Sequence, residues 1–240
     1  MFRIRIRCAQ GRRVTYTNLD VIKDAALAML ESAGCPGKML SGPEARHWGA
    51  GPVTPIRISP LVRRTREIVV STPDPDIARH LLKANPAAMR KDQPATGERI
   101  DMSGARIVPD PDPIVPGSTF IDAFMLTPIA ISRRGDRTGG RWHADPGEVE
   151  LSAAVNRRLS RIAGRSVRLT VAPDDMYVAT RRQSCATRVD VKRTGSQSAV
   201  VIGMTFPFVL CGCPADLRLA WYAGIGEKNR LGFGFFGLAA

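Results

Sequence analysis

The sequence has no apolar run long enough to cross a membrane, because no hydrophobic stretch reaches the roughly 18 residues that a span requires. Residues 1–7 alternate apolar and cationic side chains and contain no apolar core of a signal peptide. We therefore expect a cytoplasmic protein.

The cysteines do not form a recognisable pattern. There are 5, an odd number, and no two have the CxxC spacing, so neither a disulfide framework nor a zinc site is expected. The sequence also lacks a cluster of carboxylates suited to divalent metals. We therefore expect any chemistry to be metal-independent and to need no cofactor.

Acidic residues are in deficit. The chain of 240 residues has 35 basic and 22 acidic residues, which gives a net charge of +13. Such an excess favours a polyanionic partner, with nucleic acid the first choice and an anionic membrane surface the second. The length allows one large domain or two small ones.

The first half of the chain reads as an alternation of strands and helices. Period-two alternation in Phe2–Arg7 predicts a strand with one buried face and one strongly basic face. Residues 17–20 have the spacing of a capping box, and Gly34 is a suitable stop for the helix behind it. The other predicted elements of this half are a short extended segment at residues 55–61, a strand at Glu67–Thr72, a short helix at about residues 75–85 and a strand at residues 106–108.

The second half repeats this order. Strands are predicted at residues 124–132, 167–171, 188–192, 199–206 and 231–236, with helices after residues 145–148 and at Pro214–Ala223. Each half then has the order β-α-β-β-α-β of the ferredoxin-like plan. We predict an α+β fold of two tandem ferredoxin-like domains, at residues 1–115 and 116–240. Two such halves would leave a cleft lined by basic sheet faces and loops.

The closing segment, residues 224–237, contains two Gly-x-Gly pairs around a short charged loop. It matches neither a P-loop nor a dinucleotide-binding fingerprint, since Asn229 stands where the third glycine would be. Bare N–H groups at such a loop can cradle phosphates, with Lys228 and Arg230 adding charge. The alternative is a tight glycine hairpin with solvated charges.

This loop resembles the C-terminal signature of the CRISPR repeat-cleaving endoribonucleases of the RAMP superfamily. The residues that carry the resemblance are Gly224, Gly226, Lys228, Gly232, Phe233 and Gly234, together with residues 203–206 and Gly212. Two weaker matches are His47 followed by residues 51–61, similar to a histidine-bearing loop of the family, and residues 127–131, similar to the start of its second domain. The arginine-rich character is closer to the divergent enzymes of type IV systems.

The resemblance implies cleavage of a repeat RNA 3′ of its hairpin, in which the 2′-OH attacks the adjacent phosphate and leaves a 2′,3′-cyclic phosphate. A histidine can serve there as general base or acid, and cations can stabilise the transition state. His47 is the first candidate, with Arg46, Lys38 and Tyr16 as possible partners. The alternative for His47 is an ordinary partly buried pair with Trp48.

Two further segments are candidates for RNA binding, beside Gly224, Gly226, Lys228, Arg230, Gly232 and Gly234 of the closing loop. The first is an exposed loop that interleaves cations with an aromatic residue, at Arg133, Arg134, Arg137, Arg141 and Trp142. The second is a basic helix face with Arg157, Arg158 and Arg161. Each segment has a plainer alternative, a solvated loop and an ordinary helix exterior.

Three functions remain open from the sequence. The first is an endoribonuclease that matures CRISPR RNA and stays bound to its product. The second is a non-catalytic subunit that holds an RNA hairpin in a CRISPR effector complex. The third is a basic structural protein associated with ribosomes or other RNA. The expected partners are repeat RNA and other effector subunits, and no membrane.

Overall fold

The computed structural model describes residues 1–10, 12–53, 56–57, 63–93, 98–133, 141–194 and 197–239. The chain divides into two units. The first comprises Met1–Pro111, Asp190–Val200 and Arg230–Gly232, and the second comprises Asp112–Val189, Val201–Asn229 and Phe233–Ala240.

The amino-terminal part of the chain follows the predicted order of elements with one misplaced strand and several added short ones. The second strand of the main sheet lies at Gly49–Pro52, ahead of the segment predicted at residues 55–61, of which only residues 56–57 are among the described residues. The strands are β1 (Phe2–Arg7), β2 (Val14–Tyr16), β3 (Gly49–Pro52), β4 (Ile56–Arg57), β5 (Arg63–Thr65), β6 (Glu67–Thr72), β7 (Arg90–Gln93), β8 (Glu98–Asp101) and β9 (Arg106–Pro109). The helices are α1 (Leu19–Ser32), α2 (Gly37–Leu40), α3 (Pro75–Leu81) and a 3-10 turn at Pro86–Ala88.

The main sheet of the first unit is antiparallel and has the strand order β3-β6-β1-β9. In the succession of the plan these are its second, third, first and fourth strands, which is the ferredoxin-like order. Ile4 and Ile6 of β1 are fully buried. Helix α1 packs against β3, and α3 packs against β1 and β6. The amino-terminal stretch of the unit also contains two small sheets, β2-β5-β4 and β7-β8.

The carboxy-terminal part of the chain repeats the plan with an insertion. Its strands are β10 (Phe120–Met125), β11 (Leu169–Pro173), β12 (Ala186–Thr194), β13 (Gln197–Met204), β14 (Pro207–Gly212) and β15 (Phe236–Leu238). Its helices are α4 (Leu151–Ala163), α5 (Asp175–Cys185) and α6 (Pro214–Ala223), with 3-10 turns at Pro146–Glu148 and Asn229–Leu231.

The sheet of the second unit has the order β11-β14-β10-β15, which is again the ferredoxin-like order. Helix α4 packs against β11, and α6 packs against β14 and α4. The apolar residues Leu151, Val155, Leu159 and Ile162 of α4 have the spacing that predicts a buried stripe. The first three are buried, and Ile162 is partly buried. Helix α5 and the β12-β13 hairpin are inserted between β11 and β14. The fold class is α+β with tandem ferredoxin-like plans, as predicted.

The strongly basic face predicted for β1 is wrong. Arg3 is 1% exposed, and its Nε lies 2.7 Å from Asp110 Oδ2. Arg5 donates to the same oxygen from Nε at 2.8 Å. Arg7 Nε lies 3.2 Å from Glu67 Oε1. The neighbouring carboxylates therefore neutralise much of the charge that the alternating sequence presents.

The start of α1 and the end of α3 differ from the predictions. Asn18 is the N-cap of α1 and its side chain makes no capping bond, so the capping box predicted at residues 17–20 is not formed. Gly34 is the predicted stop and has a φ of 84°. Helix α3 begins as predicted, since the Asp74 carboxylate accepts from the N–H groups of Asp76 and Ile77, but it ends at Leu81.

Two predicted strands of the second unit are misplaced. Strand β10 begins four residues early, and residues 126–132 contain only isolated bridges at Ile129, Ala130 and Ser132. The strand predicted at residues 231–236 is a 3-10 turn followed by Gly232 and Gly234, whose φ angles are 85° and 80°. Those angles interrupt an extended strand, so the last strand starts at Phe236.

Candidate nucleic-acid interface

The backbone around His47 is held by hydrogen bonds from three directions. The N–H of Arg46 donates to the oxygen of Met39 at 2.9 Å, and Arg230 donates from Nη2 to the oxygen of Arg46 at 2.7 Å. Thr72 Oγ1 donates to the oxygen of His47 at 2.7 Å. These contacts hold the backbone of His47 in place. His47 is half-buried and lies two residues before the start of β3.

Trp48 forms the inner side of this segment. It is buried, and its Nε1 donates to the oxygen of Leu40 at 3.0 Å. The indole therefore belongs to the core, and at His47 the chain passes from the exposed Arg46 into the buried strand β3. The structure keeps His47 at the boundary between core and solvent, where a proton-transfer group can reach a bound substrate.

The guanidinium of Arg46 is already engaged by two carboxylates. It contacts Asp76 and lies 3.4 Å from Asp74 Oδ2. The hydrogen bond from Arg46 lowers the pKa of Asp76 below its usual value. Arg46 is therefore partly neutralised before any phosphate approaches, which weakens its action on a transition state.

Lys38 and Tyr16 have opposite environments. Lys38 lies on α2 with its side chain 73% exposed, and its Nζ is 3.6 Å from Glu44 Oε2. Tyr16 lies on β2, is 1% exposed and is directly paired with Arg63 of β5. Burial raises the pKa of the Tyr16 phenol, against the opposing effect of Arg63. In this conformation Lys38 can meet a polyanion, whereas the phenol of Tyr16 does not reach solvent.

The closing loop is packed into the protein. It does not form the open phosphate-binding loop that the sequence predicted. Gly224, Gly226, Gly232 and Gly234 are all buried. A Cβ at Gly234 would stand 1.8 Å from the oxygen of Ile225. These glycines therefore serve close backbone packing.

The N–H groups of this loop are largely occupied. Those of Ile225, Glu227 and Gly234 donate to the oxygens of Gly234, Ala130 and Pro128, at 2.9, 2.8 and 2.9 Å. A phosphate would have to displace these bonds. Lys228 stays exposed, with a φ of 61°, and Arg230 is half-buried. The two cations are therefore the parts of the loop that can contact RNA.

Two residues that stabilise the loop were not singled out from the sequence. Asn229 is 1% exposed, and its Nδ2 donates to the oxygens of Phe233 at 3.1 Å and Ile225 at 3.4 Å. Glu227 Oε1 accepts from Ser132 Oγ at 2.7 Å. The sequence offered one sign of this role, because Asn229 stands where a dinucleotide-binding fingerprint would have its third glycine.

The predicted RNA-binding loop is only partly as expected. Arg134 and Arg137 lie outside the described residues. Arg133 Nη2 lies 3.2 Å from Glu148 Oε2, and the guanidinium of Arg141 stands 5.3 Å from the centre of the Trp142 ring. Trp142 itself is 7% exposed, so the prediction of an exposed loop is wrong at this residue. At this exposure, with the Arg141 guanidinium beside it, the indole offers little surface to a stacking base.

His143 follows Trp142 and is half-buried. Its backbone N–H donates to the backbone oxygen of Ile131 at 3.0 Å. Burial lowers the pKa of its imidazole, Arg133 lowers it further, and Glu148 opposes both. His143 is therefore held towards the neutral form.

The three arginines of α4 are not equivalent. Arg157 and Arg161 are exposed, whereas Arg158 is half-buried. Burial lowers the pKa of Arg158, Arg161 adds to the effect and Glu227 opposes it. Arg157 and Arg161 are the cations of this helix that can meet an RNA backbone.

Two negative findings apply to the described residues alone. Among them, no three His, Cys, Asp or Glu side chains are grouped closely enough to hold a metal ion. None of the helices in that part of the chain is long and apolar enough to cross a membrane.

Two ferredoxin-like plans in tandem, the second closing with a glycine-rich loop, define the class of RAMP-fold proteins. A family model described as "CRISPR associated protein Cas6, C-terminal" matches residues 112–238, more than half of the chain. The chain belongs to this family. No curated protein matches it significantly.

Solved structures match over nearly the whole length. One described as "An RAMP protein binding different RNA substrates" has a TM-score of 0.63 and 16% identity, covering 100% of both chains. One from "Characterization of a Cas6-related gene from Pyrococcus furiosus" has a TM-score of 0.67 and 14% identity, covering 99% of this chain and 98% of that one. A third, "CRISPR associated protein Cas6", has a TM-score of 0.60 and 11% identity, covering 100% and 99%. At such identities these matches establish the fold.

Proposed function

We propose that the chain is a metal-independent endoribonuclease that processes CRISPR precursor RNA by cutting 3′ of the repeat hairpin. Membership of the Cas6 C-terminal family supports RNA processing as the activity. The observation that carries the proposal is the hydrogen bond from Arg230 to the oxygen of Arg46, because it ties the closing loop to the histidine segment. Two motifs far apart in the sequence thereby meet at one place.

The proposed reaction is an internal transfer of the phosphoryl group. The 2′-OH attacks the adjacent phosphorus, the bond from phosphorus to the 5′-oxygen breaks, and the products carry a 2′,3′-cyclic phosphate and a 5′-OH. One group accepts the proton of the 2′-OH and one donates a proton to the leaving oxygen. We assign one of these roles to His47, and the stabilisation of the transition state to nearby cations, Lys38 and Arg46 among them.

RNA binding is assigned to other cations. Lys228 and Arg230 would hold the strand near the closing loop, and Arg157 and Arg161 would meet the phosphates of the hairpin. We further propose that the protein keeps its product, acts in the cytoplasm with other effector subunits, and divides functionally into residues 1–115 and 116–240. The relation to type IV systems stays a prediction.

A second candidate function is a non-catalytic subunit that holds the RNA hairpin. It is favoured by the engagement of Arg46 with Asp74 and Asp76, and by the burial of the Tyr16 phenol. Both observations reduce the number of groups available for catalysis beside His47. The two functions predict the same RNA affinity and differ in cleavage alone.

The test is to incubate the purified protein with repeat RNA in EDTA. Cleavage at one position with a cyclic-phosphate end supports the enzyme, whereas tight binding without a cut supports the second function. His47→Ala should then abolish single-turnover cleavage. His80→Gln is the matched control, because His80 lies on α3 and its Nδ1 is 3.1 Å from the backbone oxygen of Ala33. Unchanged cleavage by His47→Ala would refute the role of His47.

A further inference from the structure

A cavity of about 610 Å³ lies at the end of β1 in the first unit, away from the residues assigned so far. Arginines from three neighbouring chain segments line it, Arg7, Arg66 and Arg106, together with Cys8, Gln10 and Glu67. Cys8 continues the ladder beyond β1, because its N–H donates to the oxygen of Arg66 at 2.9 Å. The strand pairing therefore brings Arg7, Arg66 and Arg106 together at one end of the main sheet.

This arrangement has an electrostatic cost. Arg7 of β1 stands directly opposite Arg106 of β9, and like charges in that position destabilise a sheet. Arg66 and Arg106 are exposed, and neither has an acidic partner within the part of the chain that the structure describes. Among the described residues that line this cavity, Glu67 is the one carboxylate, and it is shared between Arg7 and Arg5, at 3.2 and 3.5 Å. A bound anion would relieve the repulsion that remains.

A second cavity of about 290 Å³ adjoins the first and extends the positive surface. The two share Cys8, Ala9 and Gly104. Arg12 and Arg13 line the second together with Asp101, whose Oδ1 lies 3.3 Å from Arg90 Nε. A Cβ at Gly104 would stand 3.4 Å from Arg12 Nη1, so the small residue leaves this guanidinium room beside the cavity. The shared wall is built of small side chains, which keeps the site open to a bulky ligand.

We propose that this cavity binds a single-stranded nucleotide of RNA by its phosphate, outside the hairpin. The volume lies in the range of about 300–1,000 Å³ that suits a small ligand, and a duplex is too wide to enter it. Arginine forks match phosphate oxygens in pairs. None of the described residues that line the cavity is aromatic, so binding rests on phosphate contacts and tolerates any base.

The identity of the RNA rests on the proposed function, whereas the site itself does not depend on cleavage. The test compares the affinity for a repeat hairpin alone with that for the same hairpin carrying a single-stranded flank. The variant is Arg66→Gln with Arg106→Gln, both exposed and therefore tolerated by the fold. The control is Arg64→Gln with Arg79→Gln, which removes the same charge from exposed positions of the same unit that do not line either cavity.

The variant should weaken binding of the flanked RNA on the order of tenfold at low salt, and lower its salt slope by about 1.4, since each phosphate contact to a single strand contributes about 0.7. Binding of the hairpin alone should stay unchanged, and the control should bind both as the unaltered protein does. Equal loss for both RNAs, or equal loss in the control, would overturn the proposal. Absent binding of every RNA by the unaltered protein would instead refute the proposed function.

Cys8 provides a second readout that needs no substitution. It lines both cavities, whereas Cys213 is exposed elsewhere in the chain. A short unstructured RNA should slow alkylation of Cys8 and leave that of Cys213 unchanged, as followed by peptide mass spectrometry. Alkylation of Cys8 at the same rate with and without the RNA would contradict the site, even if the affinity for repeat RNA is high.

Discussion

Arg230 donates a hydrogen bond from Nη2 to the backbone oxygen of Arg46 at 2.7 Å, across 184 positions of the sequence. The bond places the cation of the closing loop next to the residue that precedes His47. Arg230 was expected to contact RNA, and its position in the structure gives it a second task, which is to hold the histidine segment. These two tasks have different consequences when the residue is changed.

Arg230→Lys should lower single-turnover cleavage by about tenfold, because small displacements of catalytic groups have large kinetic costs. The lysine keeps the charge but replaces the rigid guanidinium fork by a flexible stem. The salt dependence of RNA binding should therefore stay as it is. Lys228→Ala is the matched change in the same loop, and it should lower the salt slope by about 1 while sparing cleavage at saturating RNA. Cleavage by Arg230→Lys at the normal rate would remove the positioning role.

Gly234→Ala should prevent folding or cost at least about 3 kcal/mol of the free energy of unfolding, because its Cβ would overlap the oxygen of Ile225 in addition to the strained φ. Gly164→Ala is the control, since Gly164 has a φ of 66° and no atom within 4 Å of the added Cβ. It should cost about 1–2 kcal/mol, the strain alone. Chemical denaturation measures both, and equal losses would show that close packing is not what requires Gly234.

Asp216 should make the stability depend on acid pH. Its carboxylate is buried and accepts from Arg165 Nη1 at 2.5 Å and from the N–H of Arg168 at 2.9 Å. Burial alone would raise its pKa, but the N–H of Arg168 and the guanidinium of Arg165 hold that pKa below its ordinary value. The carboxylate therefore stabilises the folded state above the unfolded pKa of about 3.9, and this contribution is lost as the pH falls through the folded pKa.

Asp216→Asn should accordingly lower the free energy of unfolding by about 2 kcal/mol near neutral pH, with the partial exposure of Arg165 taken into account. The difference from the unaltered protein should shrink as the pH is lowered towards the folded pKa of Asp216. Asp122→Asn, at an exposed position of β10, should show no such trend. Denaturation curves over an acid pH series would decide, and a difference that is constant with pH would contradict the assignment.

Arg157→Gln with Arg161→Gln should lower the salt slope of hairpin binding by about 1.8, since each phosphate contact to a duplex contributes about 0.9. The side chains of both residues are exposed, so the fold should tolerate the change. The Arg64 and Arg79 control removes the same charge elsewhere. If the control lowers the slope equally, the effect belongs to net charge and not to the face of α4.

Hydrophobic periodicity is a local signal, and it located most of the main-sheet strands and the helices that pack on them. Helix α5 was not predicted, and β3 lies ahead of the segment predicted for it. In β1 the alternation marked Ile4 and Ile6 as buried, and in α4 the spacing marked Leu151, Val155 and Leu159. The same alternation predicted an open basic face, and that failed because Asp110, the partner of Arg3 and Arg5, is more than 100 positions away. A local pattern contains no information about a carboxylate that only the sheet register brings near.

The closing loop illustrates a second limit. Its glycines were recognised, but glycine permits both an open anion site and tight backbone packing. Which of the two occurs depends on the oxygens of Pro128 and Ala130, which occupy the N–H groups of Gly234 and Glu227. The prediction that Trp142 is exposed was wrong for a similar reason. An aromatic residue among arginines looks the same in sequence whether its ring is buried or exposed.

The first unit is assembled from three stretches of the chain, of which the last is Arg230–Gly232. During translation, residues up to Pro111 leave the ribosome long before Arg230 is synthesised. The hydrogen bond from Arg230 to the oxygen of Arg46 can therefore form only when nearly all of the described chain has been made. Amino-terminal regions generally fold first during synthesis. The histidine segment would thus acquire the hydrogen bond from Arg230 only after most of its own unit has been made.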